Sequence, residues 1–146
     1  MRSSSPHKIG RRPRITFQEW CDLFVAGFEL ARARLVVRSS ARRALEQRAT
    51  TALAEGTTLA SSELIERVGT AIARMGHRLP WRADCLVQAV AAQHWLRRHG
   101  LASRLEIGVR ERSDDPFEGH AWLVCGDAVV TGGNPRDYQP LRSVKP

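Results

Sequence analysis

The sequence has only three cysteines, at positions 21, 85 and 125, an odd number set far apart. It contains no Cys-x-x-Cys pair and no Cys/His spacing of the zinc-site kind, so neither a disulfide framework nor a metal is expected. That usage suits a reduced, cytoplasmic protein, and no cofactor motif is present. No run approaches the roughly 18 to 20 apolar residues of a membrane span. The opening "MRSSSPHKIGRRPR" is charged and has no apolar centre, so it is not expected to act as a secretory signal. Acidic residues are also few, 15 Asp and Glu against 23 Lys and Arg, a formal charge of +8. The excess is uneven. Positions 1–48 hold eleven Lys/Arg and four Asp/Glu, so seven of the eight net charges lie there. A basic N-terminal third suits an acidic peptide, a membrane surface or nucleic acid, and equally a solvated arginine-rich face.

The 146 residues fit one compact domain with a modest core. Residues 1–14 have nothing to bury and read as a disordered basic tail. Residues 15–60 read as an N-terminal helical region and residues 61–146 as the core of the domain. Thr16 with Glu19 forms a capping-box pattern that starts a helix. Phe17, Trp20, Phe24, Phe28, Ala31 and Leu35 then recur at helical spacing to about residue 37, a stripe expected to be core or a partner-helix surface. "SSARRALEQRATTALAEG" predicts a second, weakly amphipathic helix ending at Gly56. Ser61–Met75 predicts a third, with Leu64, Ile65, Val68, Ile72 and Met75 on one face.

Pro80 breaks the pattern, and a further helix is expected from about Ala83 to His99, closed by Gly100. The period then changes from 3.6 to 2 across Leu105, Ile107 and Val109, which predicts a strand. "ERSDDPFEG" reads as a loop. His120–Cys125 and Ala128–Thr131 are short strands joined at Gly126–Asp127. Helices first, then a small antiparallel sheet packed on the last helix, make an α+β fold.

Cys85 is placed at the start of that last helix, where free backbone N–H groups and the positive end of the helix dipole favour a thiolate. Its own N–H is placed to donate to an oxyanion. A buried, inert Cys85 is the plainer alternative. His120 opens a strand of the sheet expected to pack on that helix, whereas His7 is in the tail, His77 in a loop, and His94 and His99 farther along the helix. A thiol on a helix start beside an imidazole on a strand is the geometry of papain-like acyl transfer.

"DCLVQAVAAQHWLRRHGLASRLEIGVR" followed by "FEGHAW" resembles the transglutaminase-like cysteine peptidases of lasso-peptide biosynthesis, the leader-peptidase half of the split B protein. The shared elements are Cys-Leu, a helix ending in a basic "LRRxG", a strand closing "IGV", and "HAW". The likeness covers roughly residues 60–142. It implies a transglutaminase/papain-like core, Cys85 as nucleophile and His120 as general base and acid. The implied activity is removal of the leader from a ribosomally made precursor, before a separate ATP-dependent cyclase forms the ring. The implied partners are the precursor's leader peptide, a separate leader-recognition protein and the cyclase; no nucleic acid is expected, and a membrane contact through the N-terminal helix is the lesser expectation.

The family has an Asp about twelve residues after the histidine, and here that position is Gly132. With the turn at Gly126–Asp127, residue 120 is expected opposite 133, and Val129, Thr131 and Gly133 share its face without offering a carboxylate. Asp127, at the hairpin tip, is roughly 20 Å away at about 3.3 Å per residue. Asn134 is therefore the expected third member, matching a Cys-His-Asn triad, with Asp137 next and a Cys–His dyad as the reduced form. Trp122 is expected to roof the substrate cleft or to pack in the core. Trp81 and Arg82 are expected to line a leader-binding groove. Cys21, Cys125 and Trp20 read as packing residues. Two other functions fit less of the sequence: acyl transfer to an amine, as in transglutaminases, and a non-catalytic basic binding protein.

Overall fold

The computed structural model describes residues 15–38, 59–110 and 118–140. The expected basic tail, the helix over 39–56 and most of the loop after β1 lie outside the described residues. The element order is α1 (Phe17–Arg38), α2 (Leu59–Gly76), α3 (Cys85–Arg98), β1 (Arg104–Arg110), β2 (Glu118–Cys125), β3 (Ala128–Thr131), a 3₁₀ turn (Pro135–Asp137) and β4 (Gln139–Pro140). The helices precede a small antiparallel sheet in the order β3-β2-β1-β4, an α+β fold.

The capping box opens α1 as its spacing predicts. The Thr16 N–H donates to Glu19 Oε2 at 2.8 Å, and the Glu19 N–H donates to Thr16 Oγ1 at 3.2 Å. The inward face of α1 is not the expected one. Leu23, Ala26, Leu30 and Ala33 are buried, while Phe17, Trp20, Phe24, Phe28 and Leu35 stay exposed. The aromatic stripe is therefore not core among the described residues; α1 has two apolar faces, and the smaller side chains make the helix–helix contact.

That choice follows from packing. Ala26 and Ala33 on α1 and Ala89, Ala91 and Ala92 on α3 are fully buried, so the two backbones approach closely. Leu30, Val68, Ile72, Val90, Leu96, Leu105 and Leu123 fill the centre, each stabilising the fold by about 1.5–3 kcal/mol on burial. Gly69 on α2 allows β3 to lie against the helix, since a Cβ there would stand 2.5 Å from the Val130 carbonyl oxygen. Two carboxylates of α1 are buried, Asp22 and Glu29. Glu29 on α1 is fully buried and accepts from Arg98 Nη1 of α3 at 2.8 Å. Among the described residues, no helix is long and apolar enough to cross a membrane.

The hairpin departs from the expected register by one residue. Cys125 faces Ala128 and Val124 faces Val129, but Leu123 faces Thr131, so a bulge intervenes and Val130 is the extra residue. The pairing of 120 with 133 therefore does not form; β3 ends at Thr131. Gly132 and Gly133 follow with φ of 92° and 67°, a conformation open to glycine.

Candidate active site

Cys85 is the first residue of α3, half-buried and unpaired with another cysteine. The N-cap, Asp84, makes no side-chain capping bond. The first bond of the helix runs from the Gln88 N–H to the Asp84 carbonyl at 3.0 Å, so the N–H groups of Cys85, Leu86 and Val87 have no intrahelical acceptor. The thiol thus adjoins three free donors at the positive end of a 14-residue helix.

His120 lies in β2, opposite Gly108 of β1. Ala121, Leu123 and Cys125 belong to the helix-packed core, so alternation turns His120 and Trp122 to the other face of the strand. His120 Nε2 lies 2.6 Å from the carbonyl oxygen of Gly132. A carbonyl only accepts, so Nε2 carries the proton and donates it, and neutral His120 keeps its lone pair on Nδ1. At residue 132, where the resemblance led to an acid being expected, a backbone oxygen meets the imidazole instead. Glycine is required for this approach. A Cβ on residue 132 would stand 2.6 Å from Trp122 Cβ and 2.9 Å from the Ala121 oxygen.

The imidazole is held on its flat side as well. The Tyr138 ring stacks on it at 4.6 Å between centroids, and Trp122 lies at 6.1 Å. The Tyr138 hydroxyl donates to Glu118 Oε1 at 3.2 Å, and Arg110 covers the phenol ring at 5.0 Å while pairing with Glu118 at 2.7 Å. Desolvation raises the Tyr138 pKa. The carboxylate of Glu118 and the charge of Cys85 push it the same way, against the pull of Arg110. Tyr138 is thus in electrostatic reach of the thiol and in ring contact with the imidazole. Among the described residues Cys85 and His120 share no direct hydrogen bond.

The other expected site residues fall elsewhere. Asn134 is exposed and caps the 3₁₀ turn, its Oδ1 accepting from the Arg136 N–H at 3.2 Å. It is not the acceptor at His120 Nε2, because the bulge brings Gly132 there first. Asp137 closes that turn, next to Tyr138. Trp122 is buried, and its Nε1–H donates to Glu106 Oε2 at 2.7 Å, so its ring backs the histidine from within instead of roofing an open cleft. Trp81 is half-buried under Arg34, whose guanidinium lies 5.6 Å from the ring and donates to the Arg82 carbonyl at 3.3 Å. Trp81 and Arg82 thereby tie the segment before Cys85 to α1.

Sequence reasoning missed Tyr138, Glu118, Arg110 and the Gly132 carbonyl. Tyr138 is the only tyrosine in the chain, a weak signal. The consecutive glycines at 132–133 are the sequence signal for a backbone group at this position.

A family model described as the transglutaminase-like superfamily matches residues 28–144. No curated protein and no solved structure matches the chain. The match takes in every element from within α1 to β4, together with Cys85, His120 and Tyr138, and the chain belongs to the transglutaminase-like superfamily, whose members are typically cysteine-dependent proteases or acyl transferases.

Proposed function

We propose that the protein is a cysteine endopeptidase that removes the leader from a ribosomally made lasso-peptide precursor before cyclisation. The observation that carries the reading is a His120 whose Nε2–H is committed to Gly132 and whose ring stacks on Tyr138, itself in electrostatic reach of Cys85 at an uncapped helix start. The order of motifs supports the lasso assignment. Cys-Leu opens α3, "LRRHG" ends it, "IGV" is in β1 and "HAW" in β2.

In this reading His120 Nδ1 takes the proton from the Cys85 thiol as sulfur attacks the carbonyl carbon of the scissile amide. The negative charge that forms on the carbonyl oxygen is met by the free N–H groups at the start of α3. The imidazolium then gives its proton to the leaving nitrogen, the C–N bond breaks and a thioester remains on Cys85. Water, deprotonated by His120, attacks the thioester; the acid product leaves and the thiol regains its proton. Gly132 holds the imidazole tautomer that this sequence requires, a part usually taken by a carboxylate or amide side chain. A carbonyl carries no full charge, so it orients the ring while stabilising the imidazolium less than a carboxylate does.

The test is incubation of the chain with the product of a neighbouring small open reading frame, with and without a separate leader-recognition protein, followed by mass spectrometry. Two fragments meeting at one peptide bond support the reading. A single species joined to an amine indicates acyl transfer instead, and an unchanged precursor with every partner present contradicts both.

A further inference from the structure

We propose that the outer face of α1 lies on an anionic lipid surface, in the plane of the membrane interface. The face consists of Ile15, Phe17, Trp20, Phe24, Phe28 and Leu35, which are 44% to 85% exposed. At 1.5 Å per residue the stripe runs about 30 Å along one side of a single helix. Scattered exposed apolar residues are ordinary; three phenylalanines, a tryptophan and two aliphatics in line are not.

Charge identifies the occupant. Every carboxylate on α1 is turned away from the stripe and matched by an arginine of another helix. Glu19 pairs with Arg74 at 3.1 Å, Asp22 with Arg67 at 2.8 Å and Glu29 with Arg98 at 2.8 Å. The exposed Glu63 and Glu66 are on α2 and share a hollow with Asp22 and Arg67, on the flank of α1. The exposed Arg32 and Arg38, four residues after Phe28 and three after Leu35, stand at the edge of the stripe itself. Upstream, residues 1–14 add five Lys/Arg and no acid. A second copy would bring two basic faces together. An anionic bilayer offers both an apolar layer for the aromatics and phosphates for the arginines, the two signals that together hold a peripheral protein.

A hollow of about 150 Å³ beside the stripe, lined by Ile15, Trp20, Leu23, Phe24 and Met75 with the exposed Arg78, adds to the fit. It is apolar within and cationic at one side, which matches an acyl segment lying below its headgroup phosphate. Aromatic rings such as Trp20, whose polar N–H sits on an apolar body, favour that depth.

The experiment is sedimentation of the full chain with extruded vesicles of phosphatidylcholine alone or mixed with phosphatidylglycerol. The chain is expected to pellet with the mixed vesicles only, and less as salt rises. The exposed-site double variant Phe24→Ser/Phe28→Ser is expected to keep its circular dichroism and to partition about tenfold less. A chain that stays in the supernatant with anionic vesicles overturns the proposal, as does equal partitioning by the double variant. A stable dimer in analytical ultracentrifugation that the same double variant dissolves also overturns it, by giving the stripe to a second copy.

Discussion

His120 Nε2 stands 2.6 Å from the carbonyl oxygen of Gly132, and that contact fixes which ring nitrogen is free to act as a base. The bond forms because β3 bulges at Val130 and because residue 132 has no side chain. Its φ of 92° and the 2.6 Å separation of a built Cβ from Trp122 leave no room for one. Gly132→Ala is therefore expected to cost about 1–3 kcal/mol of stability and to lower kcat/KM by about 10-fold or more. Thermal denaturation and a cleavage assay on the folded variant measure the two effects separately.

Tyr138 acts on the imidazole through its ring, at 4.6 Å, while its hydroxyl serves Glu118. Tyr138→Phe retains the stack and is expected to stay within about threefold of the parent activity. Tyr138→Ala removes the wall and is expected to lose about 10-fold in kcat/KM. Equal losses in the two variants, measured by initial rates, would move the role from the ring to the hydroxyl.

The three cysteines should separate by their surroundings. Burial pushes the Cys125 thiol above its ordinary 9.0, and its Sγ–H donates to the Ala102 carbonyl at 3.3 Å. Iodoacetamide near pH 8 is expected to modify the half-buried Cys85 and to spare Cys125, as peptide mapping reads directly. The stability consequence has a definite sign. As pH rises past 9.0, the folded chain keeps a proton on Cys125 that the unfolded chain has released. Unfolding is therefore favoured increasingly through that alkaline window.

Glu29 is buried without exposure, and its partner Arg98 reaches it from α3. Glu29→Ala removes a carboxylate that joins α1 to the nucleophile-bearing helix and is expected to destabilise the fold by about 3 kcal/mol. Urea denaturation monitored by circular dichroism checks it. Its companion His94, 3.9 Å from the same carboxylate, loses that neighbour too.

The elements were legible wherever one period dominated. Thr16 and Glu19 marked the start of α1, Gly100 marked the end of α3, and the alternation of Leu105, Ile107 and Val109 marked β1. The face that α1 buries was not legible. Period alone cannot choose between two apolar stripes on one helix, and close approach to Ala89, Ala91 and Ala92 favours the side bearing Ala26 and Ala33 over the side bearing Phe24 and Phe28. Cys85 and His120 stand out because a helix start and a short apolar strand are local features, although β2 begins at Glu118, two residues before the start expected at His120. The group that orients His120 does not. It is a main-chain oxygen positioned by a one-residue bulge, and neither a bulge nor a carbonyl has a side-chain signature. With no carboxylate on the His120 face of the hairpin, the sequence points to Asn134, which the 3₁₀ turn uses as its cap.

Replacing Cys85 with alanine, with His120→Ala in parallel, tests most directly whether these two groups form the reacting pair. The readout is precursor cleavage followed by mass spectrometry, with circular dichroism to establish that both variants fold. Each substitution is expected to reduce cleavage by at least about 10³-fold, since the first removes the atom that forms the thioester and the second the base that activates it. Processing by folded Cys85→Ala at the parent rate would contradict the account.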